Sequence, residues 1–148
     1  MNKPLLSFDN NNAINFLVFT KAISKFIKKF NTIFLYGELG VGKTTFVKYL
    51  INNFQKKEKT KITEIPSPTF NIVYEYKIKK LRIQHFDLYR LKNKKECLNI
   101  GLFEDDNVIS IIEWPEKVHF KPKKRPRKAY QVLNFPFLKK IPLKTPHF

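Results

Sequence analysis

Hydrophobic periodicity changes twice between residues 32 and 54. "TIFLY" (32–36) is an unbroken apolar run of β-branched, aromatic and aliphatic residues, the pattern of a strand buried on both faces. From Lys43 onward, "KTTFVKYLINNF" carries Phe46, Val47, Leu50, Ile51 and Phe54 at i, i+1, i+4, i+5 and i+8, which predicts a helix. Upstream, residues 12–30 place Ile14, Leu17, Val18, Ala22, Phe26 and Ile27 at helical spacing and predict an amphipathic helix. Downstream, "FNIVYEY" (70–76) alternates, and "LRIQHFDLY" (81–89) can pair with it across a lysine turn at 77–80, giving an antiparallel hairpin. A short helix is predicted in "KKECLNIGLFE" (94–104), then a second buried strand in "NVISIIEW" (107–114), which ends on a carboxylate. The remainder differs in kind. Five of the nine prolines fall between 122 and 146, mixed with the basic cluster "KPKKRPRK", and no strand pair is predicted there. No internal repeat is present, and the order of strands and helices predicts an α/β fold.

Composition narrows this picture. A chain of 148 residues, 43% hydrophobic, suits one core. The expected organisation is a domain over 1–116 and a basic, proline-rich extension over 117–148. No apolar run reaches the length of a membrane span, and "MNKPLLSFDNNN" lacks the apolar core of a secretory signal, so a cytoplasmic protein without membrane contact is expected. Cys97 is the only cysteine, which excludes an intrachain disulfide; His85, His119 and His147 have no metal-ligand spacing. The net charge of +17 suggests nucleic acid until it is mapped. Residues 117–148 hold ten Lys/Arg and no Asp/Glu, leaving nineteen basic against twelve acidic groups before them. The excess therefore sits in the tail. Lys121, Lys123, Lys124, Arg125, Arg127 and Lys128 could neutralise tRNA phosphates, with Tyr130, Phe135 and Phe137 stacking on bases, or the same charges could simply be solvated.

Three of the four glycines lie within six positions, between the predicted strand and helix. Gly37 to Thr44 fits G-x-x-x-x-G-K-[ST], and the strand-to-helix context is the one that gives this motif its mechanism. Glycine permits positive φ and close backbone approach, so successive N–H groups form an anion nest at a helix N-terminus. Lys43 adds a point charge for the β- and γ-phosphates, and the Thr44 hydroxyl can ligate Mg²⁺. Hydrolysis also needs a carboxylate on the metal side and a group that positions water. Glu113, after "VISII", suits the first task and Asp87, in "HFDLY", the second; either could equally cap a turn or face solvent.

"GELGVGKTTF", "SPTF", "HFDLYRL" and "IEWPE", in that order, resemble the TsaE family, also called YjeE, over roughly residues 33–117. The resemblance implies a compact P-loop NTPase fold with a central, mostly parallel sheet, an antiparallel hairpin and flanking helices. It implies an ATPase with ATP and Mg²⁺, acting in the threonylcarbamoyladenosine modification of tRNA beside the anticodon, with TsaD and TsaB as partners. Carried onto this chain, Leu39, Gly40, Val41, Gly42, Lys43 and Thr44 would hold the phosphates, and Thr44 and Glu113 the metal. Asp87 would be catalytic, with Lys43 assisting, and Ser67, Pro68 and Thr69 would form a switch-like loop near the γ-phosphate. Trp114 would report on nucleotide or partner, or serve as a hydrophobic plug. The chain departs from the family after "EWPE", where a leucine-proline segment and a "GR" hairpin are usual, and in "DNNNAINF", which lacks the usual threonine. Two other classes fit a P-loop in a basic chain: a small metabolite kinase, and a non-catalytic RNA-binding protein with a vestigial loop.

Overall fold

The computed structural model describes residues 32–118 and 130–134, together with Lys21 and Ser24. The apolar run at 32–36 is strand β1 (Thr32–Tyr36), and the helix predicted after the glycines is α1 (Lys43–Lys57). Then come β2 (Val73–Ile78), β3 (Leu81–Asp87), α2 (Lys94–Asn99), β4 (Ile109–Glu113), a single 3₁₀ turn (Pro115–Val118) and β5 (Tyr130–Asn134). The strands form one sheet in the order β2-β3-β4-β1-β5. Only β2 and β3 pair antiparallel; β3 with β4, β4 with β1 and β1 with β5 are parallel. This is an α/β fold with a mostly parallel sheet and one hairpin.

The two faces of the sheet explain why β1 and β4 read as continuous apolar runs. Ile33, Leu35, Ile83, Ile109 and Ile111 pack against Phe46, Val47, Leu50, Ile51 and Phe54 of α1. Phe34, Phe86 and Ile112 point the other way, toward Cys97, Leu102 and Leu91. Neither face of β1 or β4 meets water, so polar alternation would have no place there. Each fully buried side chain of this kind contributes about 1.5–3 kcal/mol relative to exposure. Lys56 and Lys57 in the last turn of α1 complement its dipole.

Several boundaries differ from expectation for local reasons. β2 begins at Val73 rather than 70 because the preceding segment turns: the Ile72 N–H donates to the Pro68 carbonyl, and Ile72 has φ of 66°. The hairpin closes on Lys79 and Lys80 alone, with Lys79 left-handed at φ 53°. α2 stops at Asn99 because Gly101 takes φ of 75° and its N–H bonds back to the Leu98 carbonyl.

Residues 117–148, expected as a basic extension without a strand pair, contribute one described strand to the sheet. Residues 130–134 form β5, in register with β1 from Thr32↔Tyr130 to Tyr36↔Asn134. Pro126 and Pro136 flank this stretch without interrupting it, and "YQVLN" itself is rich in strand formers. The helix expected at 12–30 lies outside the described residues except at Lys21 and Ser24, which are helical, the Ser24 hydroxyl donating to the Lys21 carbonyl at 2.7 Å. The basic cluster at 121–128, His119, His147 and Phe135 and Phe137 lie outside them too. Among the described residues no helix is long and apolar enough to cross a membrane.

Candidate nucleotide and metal site

Three strand ends meet at one edge of the sheet. Because β3, β4 and β1 are adjacent and parallel, Asp87, Glu113 and the loop after Tyr36 emerge side by side, with Glu113 paired in register to Leu35 on one side and Asp87 on the other. Ligand crevices of open α/β sheets lie outside such carboxyl ends.

Gly40 and Gly42 have φ of 77° and 99°, a conformation that side-chain-bearing residues rarely adopt. A Cβ placed on Gly40 would meet nothing within 4 Å, so the backbone conformation, not packing, requires glycine, and the space beside it is open. Leu39 projects outward at 76% exposure, whereas Val41 is buried in the α1 core. Gly42 starts α1 with no side-chain cap and no acidic residue in the first turn. The leading amides of the helix therefore lack a side-chain acceptor from its own first turn.

Lys43 reaches back over the loop. Its ammonium donates to the Gly37 carbonyl and, at 2.9 Å, to that of Glu38, and lies 3.9 Å from the Trp114 ring centroid. Burial pushes its pKa down, opposed by the charges of Glu113, Glu116, Asp87 and Glu38. The next residue, Thr44, donates its hydroxyl to Glu113 Oε1 at 2.9 Å and approaches Oε2 at 3.2 Å. On the neighbouring strand, Thr69 donates its hydroxyl to Asp87 Oδ2 at 3.1 Å while the Tyr89 N–H donates to Oδ1 at 2.9 Å. Burial raises the Asp87 pKa and Glu113 adds to that, against the hydrogen bonds from Tyr89 and Thr69.

The residues singled out in the sequence thus converge: Thr44 bonds Glu113, Lys43 lies against Trp114 next to Glu113 in the chain and feels the charge of Glu113, and Asp87 stands beside Glu113 in register. Ser67 and Thr69 reach the site through each other, their hydroxyl oxygens 2.7 Å apart, and through Asp87, while Pro68 contributes its carbonyl to the turn. Trp114 is half-buried and belongs to neither core cluster; it is left-handed at φ 58°, with its ring 4.9 Å from that of Tyr89. Sequence reasoning missed His85, whose Nε2 is 2.7 Å from Glu113 Oε1. One signal was available: His85 and Asp87 are two apart on a strand and so share a face.

No group of three or more His, Cys, Asp or Glu among the described residues could hold a metal ion. A hydroxyl and a carboxylate oxygen in contact are instead the hard, sparse donor set suited to Mg²⁺, which keeps water and phosphate as its other ligands. The open space beside Gly40 and the uncapped helix start suit a polyanion.

A parallel strand, a loop with two left-handed glycines, and a helix opening on Lys-Thr define a P-loop nucleotide-binding fold. The profile of the family described as "Threonylcarbamoyl adenosine biosynthesis protein TsaE" matches residues 11–135, and the chain belongs to that family. Proteins named "tRNA threonylcarbamoyladenosine biosynthesis protein TsaE" are similar to it. That of Rickettsia bellii is 41% identical over 106 residues, 70% of this chain and 71% of the relative. The Haemophilus influenzae protein is 36% identical, covering 68% and 65%. The Bacillus subtilis protein is 34% identical, covering 77% and 70%. Across the Rickettsia relatives the aligned part spans from 53% to 71% of their length.

Proposed function

We propose that this chain is a Mg²⁺-dependent ATPase serving as a nucleotide switch in the threonylcarbamoyladenosine modification of tRNA, in the cytoplasm and together with TsaD and TsaB. The family and the names of the relatives support the pathway. The observation that carries the chemistry is the Thr44–Glu113 hydrogen bond, which ties the start of α1 to the end of β4.

In this reading the amides from Leu39 to Thr44 receive the phosphates, and Lys43, on a flexible stem, supplies a cation to them. Thr44 and Glu113 would hold the metal, which would supply positive charge to the phosphates when bound with ATP. Asp87 orients the attacking water and accepts its proton, a role favoured by the upward push on its pKa. Thr69 links that carboxylate to the 67–71 turn, so displacement of the turn displaces the base. Catalysis by positioning is weak until such a loop is ordered, so turnover is expected to be slow for the chain alone and to rise with its partners.

The test is phosphate release from labelled MgATP by the purified chain, with and without TsaD and TsaB. Inorganic phosphate released faster with the partners, and lost in Asp87→Asn with nucleotide still bound, is expected. Label transferred to a metabolite, or unchanged turnover in Asp87→Asn, would overturn the reading.

A further inference from the structure

His85 is fully buried, yet among the described residues its side chain makes one hydrogen bond, from Nε2 to Glu113 Oε1, and Nδ1, also buried, meets no partner among them. Its neighbours on the same face of the sheet are Ile83 and Asp87, two residues to either side on β3, and its register partners, Tyr74 on β2 and Ile111 on β4. An aliphatic side chain would fill the position without leaving a polar atom unsatisfied, so packing gives no account of the imidazole. The contact with Glu113 does.

Glu113 Oε1 is thereby held from two sides, by the Thr44 hydroxyl from α1 and by His85 from β3, while Oε2 has only the longer Thr44 contact. A carboxylate on a flexible stem would otherwise rotate about its terminal bonds. With Oε1 anchored, the orientation of the whole group is set from β3. We propose that His85 is a positioning residue for the metal site: through its Nε2–H it fixes the Glu113 carboxylate against Thr44 and raises cation affinity without touching metal or nucleotide. This rests on the reading of Thr44 and Glu113 as metal ligands. Outer partners of metal-binding groups commonly contribute about 10- to 100-fold in affinity.

The test is Mn²⁺ binding to the full chain with a non-hydrolysable ATP analogue, followed by electron paramagnetic resonance, with metal-free nucleotide affinity and thermal unfolding measured in parallel. His85→Phe retains a ring without a donor; His85→Gln places an amide N–H at a reach near that of Nε2; His85→Asn is too short for it. Expected are a loss of about tenfold or more in Mn²⁺ affinity for Phe and Asn, recovery to within about threefold for Gln, and little change in metal-free nucleotide affinity. Should Phe not fold, the Gln and Asn pair decides. Equal Mn²⁺ affinity in Gln and Asn overturns the positioning role. If Glu113→Ala itself leaves Mn²⁺ affinity unchanged, the metal reading fails and this one with it; if Glu113→Ala loses affinity and His85→Phe does not, positioning alone fails.

Discussion

The Thr44 hydroxyl donates to the carboxylate of Glu113 at 2.9 Å, joining two residues 69 positions apart in the chain. One contact links the first turn of α1 to the last residue of β4. Thr44→Ala and Glu113→Ala should each weaken Mg²⁺-dependent binding of an ATP analogue by about tenfold or more. Because the two groups act on one another, the double variant should fall short of the summed losses by about 0.5–3 kcal/mol. Calorimetric titration of all four proteins in a double-mutant cycle checks this; strict additivity would contradict a shared site.

Asp87 carries a stability cost that depends on pH. Burial raises its folded-state pKa above the ordinary 3.8. Below 3.8 both folded and unfolded chains hold the proton. Between 3.8 and the raised value only the folded chain does, so stability falls as pH rises through that window, and above it the full penalty remains. Asp87→Asn should therefore raise the unfolding midpoint at pH 7 by about 2–4 °C, the advantage shrinking as pH is lowered through the window. Turnover should meanwhile drop by about 10²-fold or more. Melting curves across pH and phosphate release measure the two effects separately.

Trp114 sits at φ 58° although it has a Cβ. Alanine in its place loses the aromatic contacts with Tyr89 and Lys43 and keeps the backbone strain; glycine loses the same contacts and relieves it. Trp114→Gly should consequently be more stable than Trp114→Ala by about 1 kcal/mol. Denaturant titrations of both variants decide the matter, and a more stable alanine variant would argue against strain at this position.

Ending the chain at residue 128 removes β5 and converts β1 from an inner strand to an edge. Its ladder groups would then be open to other chains. The shortened protein should melt lower and associate with increasing concentration, seen by calorimetry and sedimentation. A truncation of this kind is unsuited to testing tRNA contact by the tail, because it changes the sheet as well as the charge. Substituting glutamine at Lys121, Lys123, Lys124, Arg125, Arg127 and Lys128 isolates the charge.

What was legible in the sequence was local. β1 matches its predicted bounds at 32–36 because an apolar run ending on glycine has few other uses. The glycine loop, α1, the hairpin and the carboxylate closing β4 were readable because each is written in consecutive residues. What escaped depends on partners distant in sequence: His85 against Glu113, and Thr69 against Asp87. The left-handed turn at Trp114 follows from how the chain leaves β4, and no residue pattern announces it. β5 was hidden because the prolines and charges around it dominate the tail's composition, while the five residues between them pair with a strand almost a hundred positions earlier.

Val41 gives the glycine loop an unusual dependence. Its backbone stands between two left-handed glycines, and its side chain, 2% exposed, is staked into the same apolar cluster as Leu50 and Phe54. The shape of the loop and the cohesion of the interior are therefore anchored by one shared peg. A purely aliphatic defect deep beneath α1 would therefore slacken the loop along with the interior.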